Sequence, residues 1–129
     1  MFKNSKAFSS FSVKDLSDAK DFYEQTLGLT VKEIPQGLML EIAGTNGVFL
    51  YPKPDHQPAS YTCLNFRVDN IDEAVNALKE KGVTFEQYDE MTDEDGIARG
   101  LTYNQGPDIA WFKDPSGNIL SVLQEEKNS

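Results

Sequence analysis

Phe11-Ser12-Val13-Lys14-Asp15-Leu16-Ser17-Asp18-Ala19 and Phe66-Arg67-Val68-Asp69-Asn70-Ile71-Asp72-Glu73-Ala74 carry one pattern twice. Phe stands over Phe, Val over Val, Leu over Ile, Asp over Glu and Ala over Ala. Each copy runs on through an amphipathic stretch to a glycine, Gly28 or Gly82. Self-similarity of this kind indicates a duplicated architectural unit.

The amphipathic stretches predict helices. Leu16, Ala19, Phe22, Tyr23 and Leu27 fall near helical spacing, with Ser17 as a candidate N-cap and Gly28 just past the end. In the second copy Ile71, Ala74, Val75 and Leu78 share a face, and Asn70 is placed to cap it with Glu73 in capping-box position. Asp72 and Glu73 at one end, and Lys79 and Lys81 at the other, suit the helix dipole.

Strands are expected around both helices. Phe8 to Val13 and Thr62 to Val68 precede them. Leu29 to Ile34, Leu38 to Ile42 and Val48 to Tyr51 follow the first. Val83 to Tyr88, Asp108 to Phe112 and Ile119 to Leu123 follow the second. Pro35-Gln36-Gly37, Gly44-Thr45-Asn46-Gly47 and Asp114-Pro115-Ser116-Gly117-Asn118 read as turns. The chain is thus a single domain of two β-α-β-β-β modules, about 6–52 and 59–125. A proline-bearing connector over 52–58 joins them, and a long polar loop runs from Asp89 to Gln105.

Composition narrows the function. Hydrophobic residues at 39% are enough for a core. The formal charge of −9 argues against nucleic acid and against anionic membranes, since Lys and Arg form no basic patch. No apolar run approaches the ~20 residues that span a bilayer. A single cysteine, Cys63, excludes an internal disulfide, and the opening Met1-Phe2-Lys3-Asn4-Ser5-Lys6 lacks a signal peptide's apolar run. A cytoplasmic location is expected.

Three motifs carry a family resemblance. They are Val13-Lys14-Asp15-Leu16 with Phe22-Tyr23 and Leu27-Gly28-Leu29; Val68-Asp69-Asn70-Ile71-Asp72 with Gly82-Val83; and Trp111-Phe112-Lys113-Asp114-Pro115-Ser116-Gly117-Asn118. The chain resembles the vicinal-oxygen-chelate group: glyoxalases, bleomycin-resistance proteins and extradiol dioxygenases. The resemblance implies an α+β fold in which the two modules form a cupped, incomplete mixed β-barrel. It implies a site on the concave face and, commonly, a homodimer.

Metal-using members of that group place His, Glu or Gln at inward positions in the first and last strand of each half. Carried over by motif offset, those positions here are Phe8, Cys63, Ser121 and, in the fourth strand, Leu50 or one of its neighbours Phe49 and Tyr51. Phe and Leu donate nothing, a serine hydroxyl is a poor ligand, and one thiolate does not hold zinc alone. The resemblance therefore implies the branch that binds a small molecule without metal or other cofactor.

Strand alternation assigns faces. Phe11, Val13, Leu64, Phe66 and Val68 should pack on the helices. Phe8, Ser10, Ser12, Leu50, Cys63, Asn65, Arg67, Ile119, Ser121 and Leu123 should face the cup, with Tyr103 and Trp111 near its mouth to stack on a planar ligand. Each has a structural reading beside it. Arg67 can clamp a ligand carboxylate or pair with a nearby Asp or Glu. Cys63 can be a thiol nucleophile or a small packing residue. Trp111 can be platform or core. His56, the only histidine, reads as a solvated connector residue, and Asp93-Glu94-Asp95-Gly96 does not fit an EF-hand. Three functions stay open: a metal-independent binding module, an enzyme drawing acid–base groups from elsewhere in the cup, such as Tyr51 or Tyr103, or an interaction domain without ligand.

Overall fold

The chain pairs its apolar runs in the same way twice. The computed structural model describes residues 1–127. In chain order the elements are β1 (Ser9–Val13), α1 (Leu16–Asp21), β2 (Thr30–Ile34), β3 (Gly37–Glu41), β4 (Val48–Pro52), β5 (Thr62–Arg67), α2 (Ile71–Glu80), β6 (Ile97–Arg99), β7 (Asp108–Lys113) and β8 (Ile119–Gln124). They form two open four-stranded mixed sheets, ordered β1-β4-β3-β2 and β5-β8-β7-β6. In each, the first strand runs parallel to the last and the other pairings are antiparallel. The chain divides into two compact units, Met1–Pro58 and Ala59–Ser129. Each is a β-α-β-β-β module, so the fold is α+β.

The repeat explains the helix starts. Asp15 and Asn70 occupy the same place in the two copies, and each is an extended N-cap. The Asp15 carboxylate accepts from the Asp18 N–H at 2.9 Å, and the Asn70 amide oxygen accepts from the Glu73 N–H at 3.0 Å. Such a side chain satisfies one of the orphan donors of the first turn. Ser17 is not the cap; it lies inside α1. The helix continues past Asp21 as a π-helical turn over Phe22–Thr26, which seats Tyr23 in full burial. Gly28 and Gly82, with φ of +74° and +91°, then turn the chain back toward the sheet, a conformation other residues adopt at a cost.

Each helix covers one face of its own sheet. In the first unit α1 lies across β3 and β4. Val13, Leu38, Leu40, Val48 and Leu50 are buried there. The register settles Leu50: it pairs with Phe11 and Leu38, so it belongs to the helix-covered face and is 0% exposed. The expectation that Leu50 faces a binding site is corrected. The open-face residues of β4 are Phe49 and Tyr51, opposite Ser10 and Ser12. In the second unit α2 lies across β8 and β7. Ala110, Phe112, Leu120 and Val122 are buried on that side with Ile71 and Val75. Phe66 and Val68, near the uncovered edge, are only half-buried.

The largest departure from the sequence reading is in the second unit. Val83 to Tyr88 does not form a full strand. Phe85 bridges to Phe112, and the Glu86 N–H donates to the Trp111 carbonyl at 2.8 Å. An unbroken antiparallel strand would then put Gln87 opposite Ala110. Ile97 is there instead. The chain leaves the sheet at Gln87, turns at Tyr88 to Thr92, and rejoins at β6, inside the stretch expected to be loop. Asp93 organises the return: its carboxylate accepts from the Asp95 and Ile97 N–H groups, both at 2.9 Å, and from Arg99 at 3.0 Å. Arg99 also forks onto both oxygens of Asp72 on α2, at 2.7 and 3.1 Å, and approaches Asp108 at 3.9 Å. A planar guanidinium suits this bidentate geometry, and it ties β6 to α2.

Two expectations follow. Leu50→Ala should destabilise the protein by ~2–5 kcal/mol in urea unfolding, whereas Ser10→Ala on the open face should stay within ~0.5 kcal/mol. Arg99 holds the Asp72 carboxyl below its ordinary range. Burial is the largest influence on Asp93 and pushes it up, but the Ile97 N–H, Arg99 and the Asp95 N–H together bring it below its ordinary value. Groups lowered on folding stabilise above the unfolded pKa, about 4, and that stability is lost as pH falls through the folded values. Unfolding midpoints compared at pH 7 and pH 3 should fall further for the parent than for Arg99→Met.

Candidate functional site

The open face of the second sheet is built by register. Parallel pairing sets Asn65 beside Ser121 and Arg67 beside Leu123. Antiparallel pairing sets Trp111 on the other side of Ser121, and Ile109 on the other side of Leu123. Ala98 follows Ile109 on β6. The rows therefore read Asn65–Ser121–Trp111 and Arg67–Leu123–Ile109–Ala98. Ile109, Trp111, Ile119 and Leu123 are each half-buried, in contrast to the buried residues that alternate with them. Ser121 sits at the centre, 0% exposed, and donates from Oγ to Asn65 Oδ1 at 2.5 Å. That bond satisfies a hydroxyl whose burial would otherwise be unfavourable.

Beside Trp111 the excursion and the following loop frame an open groove of about 780 Å³. Met91, Tyr103, Pro107, Ile109 and Trp111 supply its apolar surface. Tyr88 meets the Trp111 ring edge-on, with centroids 5.4 Å apart and planes at 80°, a favourable aromatic arrangement that orients the indole. Tyr103 is 70% exposed and stands in the loop after β6, so its ring is available at the groove rim. A concavity with aromatic walls and a few fixed polar groups is the usual form of a small-molecule site.

The other candidates separate. Arg67 forms a solvent-exposed ion pair with Glu125. Cys63 lies at a bulge in the β5–β8 register and is half-buried. Burial, and then the negative charge of Asp114, push its thiol above the ordinary range, and the Ile119 N–H offsets this only in part. A thiol held protonated is a poor nucleophile and a poor metal ligand. Phe8 lies just ahead of β1 and is 58% exposed.

In the first unit, Ser10, Ser12, Phe49 and Tyr51 share the open face of the sheet, and the rings of Phe49 and Tyr51 stack at 5.8 Å. His56 is not a solvated connector residue. It is half-buried, with Nδ1 2.6 Å from Ser12 Oγ. Sequence reasoning missed this contact because it depends on how the connector folds back, through a hydrogen bond from the Lys53 N–H to the Val13 carbonyl at 3.1 Å.

The donor set that metal-using relatives of such a fold employ is not matched. At the positions that the family resemblance assigns to such ligands stand Phe8, Cys63 and Ser121, the last hydrogen-bonded to Asn65, and the fourth-strand residues on the open face are Phe49 and Tyr51. Among the described residues no group of three His, Cys, Asp or Glu converges where a metal ion could be held. Among them, too, no helix is long and apolar enough to cross a membrane.

Comparison with known proteins agrees with this architecture. The sequence pattern of the Glyoxalase/Bleomycin resistance protein/Dioxygenase superfamily matches residues 8–122. The uncharacterized protein YurT of Bacillus subtilis (strain 168) is 30% identical over 134 residues, covering 91% of this chain and 96% of that protein. Among solved structures, TnmS3, an antibiotic binding protein from Streptomyces sp. CB03234, is 25% identical with a TM-score of 0.71, covering 98% of this chain and 99% of that one. A superfamily member from Sphaerobacter thermophilus DSM 20745 is 26% identical with a TM-score of 0.70, covering 97% and 100%. Repeat, strand order and sequence match agree, and this chain belongs to the Glyoxalase/Bleomycin resistance protein/Dioxygenase superfamily.

Proposed function

We propose that the protein binds a small, partly apolar molecule on the open face of its second sheet and performs no metal chemistry on it. The observation that carries this reading is the groove beside Trp111, with its apolar wall, and the Ser121–Asn65 pair that continues the Trp111 row across the sheet. The likeness to TnmS3, described as antibiotic binding, supports a sequestration or resistance role. The unmatched donor set supports binding without metal. Planar ligands suit the site, since Trp111 is held by Tyr88 and presents a face to stack on. The chain acts in the cytoplasm, where a single free thiol stays reduced, and it works as a homodimer, as the family resemblance implies.

Trp111 is the only tryptophan, so its fluorescence reports the site directly. A panel of planar aromatic antibiotics should include compounds that quench it and that are recovered chemically unchanged. For such a compound, calorimetry should show Trp111→Ala weakening binding by at least ~30-fold, the ~2 kcal/mol of a buried aromatic anchor. Ser121→Glu, which inserts a charge between Asn65 and Trp111, should abolish binding without conferring metal affinity. Equal binding by both variants and the parent would remove the site from this face. Light scattering at tens of micromolar should give twice the chain mass; a monomer would refute the dimer.

A further inference from the structure

The first unit carries a polar arrangement separate from the groove. Ser12 on β1 and His56 on the connector are 44 residues apart in sequence, yet Ser12 Oγ and His56 Nδ1 lie 2.6 Å apart in a half-buried position. The connector is held there by backbone bonds, Lys53 N–H to the Val13 carbonyl and His56 N–H to the Lys53 carbonyl at 3.0 Å. Lys53 is also paired with Asp55 at 2.8 Å. Beside the pair, Tyr51 lies opposite Ser12, and Phe49, stacked on Tyr51, lies opposite Ser10.

A serine hydroxyl within hydrogen-bond reach of an imidazole is the minimal arrangement for an activated nucleophile. In the neutral tautomer with its proton on Nε2, the histidine accepts the hydroxyl proton at Nδ1. We propose that Ser12 and His56 form a nucleophile and general-base pair that accepts acyl groups from small aryl or alkyl esters. Ser12 Oγ adds to the ester carbonyl while His56 takes its proton. The adduct collapses, the bond from the carbonyl carbon to the alcohol oxygen breaks, and the alcohol leaves with the proton from His56. Water then adds to the acyl-serine, again losing a proton to His56, and the carboxylic acid departs with the serine restored. The Ser10 and Tyr51 hydroxyls stand on the same face as donors to the developing oxyanion. The stacked Phe49 and Tyr51 rings offer an apolar platform for an aryl leaving group.

The test uses the full chain with 4-nitrophenyl acetate, following nitrophenolate release and locating acetyl groups by peptide mass spectrometry. The parent should gain an acetyl group at Ser12. Ser12→Ala should lose it, His56→Asn should slow it by about 10²- to 10⁴-fold, and Ser12→Cys should carry a thioester at the same residue. Circular dichroism of each variant checks the fold; should Ser12→Ala unfold, the Ser12→Cys and His56→Asn results still decide. Acetylation confined to lysines or the amino terminus, or an undiminished rate in His56→Asn, would overturn the proposal and leave the pair as a latch for the connector.

Discussion

Asp114 is the residue on which the candidate binding face depends. Its N–H donates to the Asn118 carbonyl at 3.0 Å. One carboxylate oxygen accepts from the Ser116 and Asn118 N–H groups, both at 2.9 Å, and the other from the Asn118 side-chain amide at 3.0 Å. Both residues are nearly inaccessible to solvent. A buried carboxylate is tolerable only with such donors. The turn closes the β7–β8 hairpin in one register, and that register alone puts Trp111 beside Ser121. A slip by one residue would reverse every side chain and bury the indole under α2.

The motif around Asp114 contains no chemistry of its own. It encodes a turn. The open-face side chains are positioned by the turn but not constrained by it, so their identity can change without disturbing the frame. Phe8, Cys63 and Ser121 occupy places where other chemistry could be installed without disturbing Asp114.

Much of the fold was legible because it rests on local rules. The repeat, the two helices, the turns and most strands follow from periodicity, caps and glycines. The N-cap at Asp15 was available from the repeat itself, since Asn70 is its counterpart; Ser17 merely has a similar side chain. What was not legible depends on distant partners. Leu50 and Phe49 are both apolar, so alternation alone could not say which faces the helix; pairing with Phe11 and Leu38 decides it. The strand expected over Val83 to Tyr88 looked continuous because its residues suit a sheet. The polar run after it hid β6, whose return is fixed by Arg99 reaching Asp72. His56 gave no signal because nothing local distinguishes a histidine that docks on β1 from one in solvent. Of the candidate site, Asn65, Ser121 and Trp111 share one face of the sheet, and Arg67 is paired with Glu125.

The order β5-β8-β7-β6 has a consequence for how the protein is made. β8 is the last strand of its sheet to leave the ribosome, yet it lies in the interior, hydrogen-bonded to β5 on one side and β7 on the other. Until Ile119 to Gln124 have emerged, β5 has no strand partner and the apolar face of α2 lacks its principal cover. The first sheet closes once β4 is out, at Pro52. Synthesis at ~5–20 residues per second thus leaves the second unit's apolar surfaces uncovered for several seconds after the first is complete. Each half is complete only when its last, interior strand has emerged, and the half that carries the groove is the later of the two to reach that point.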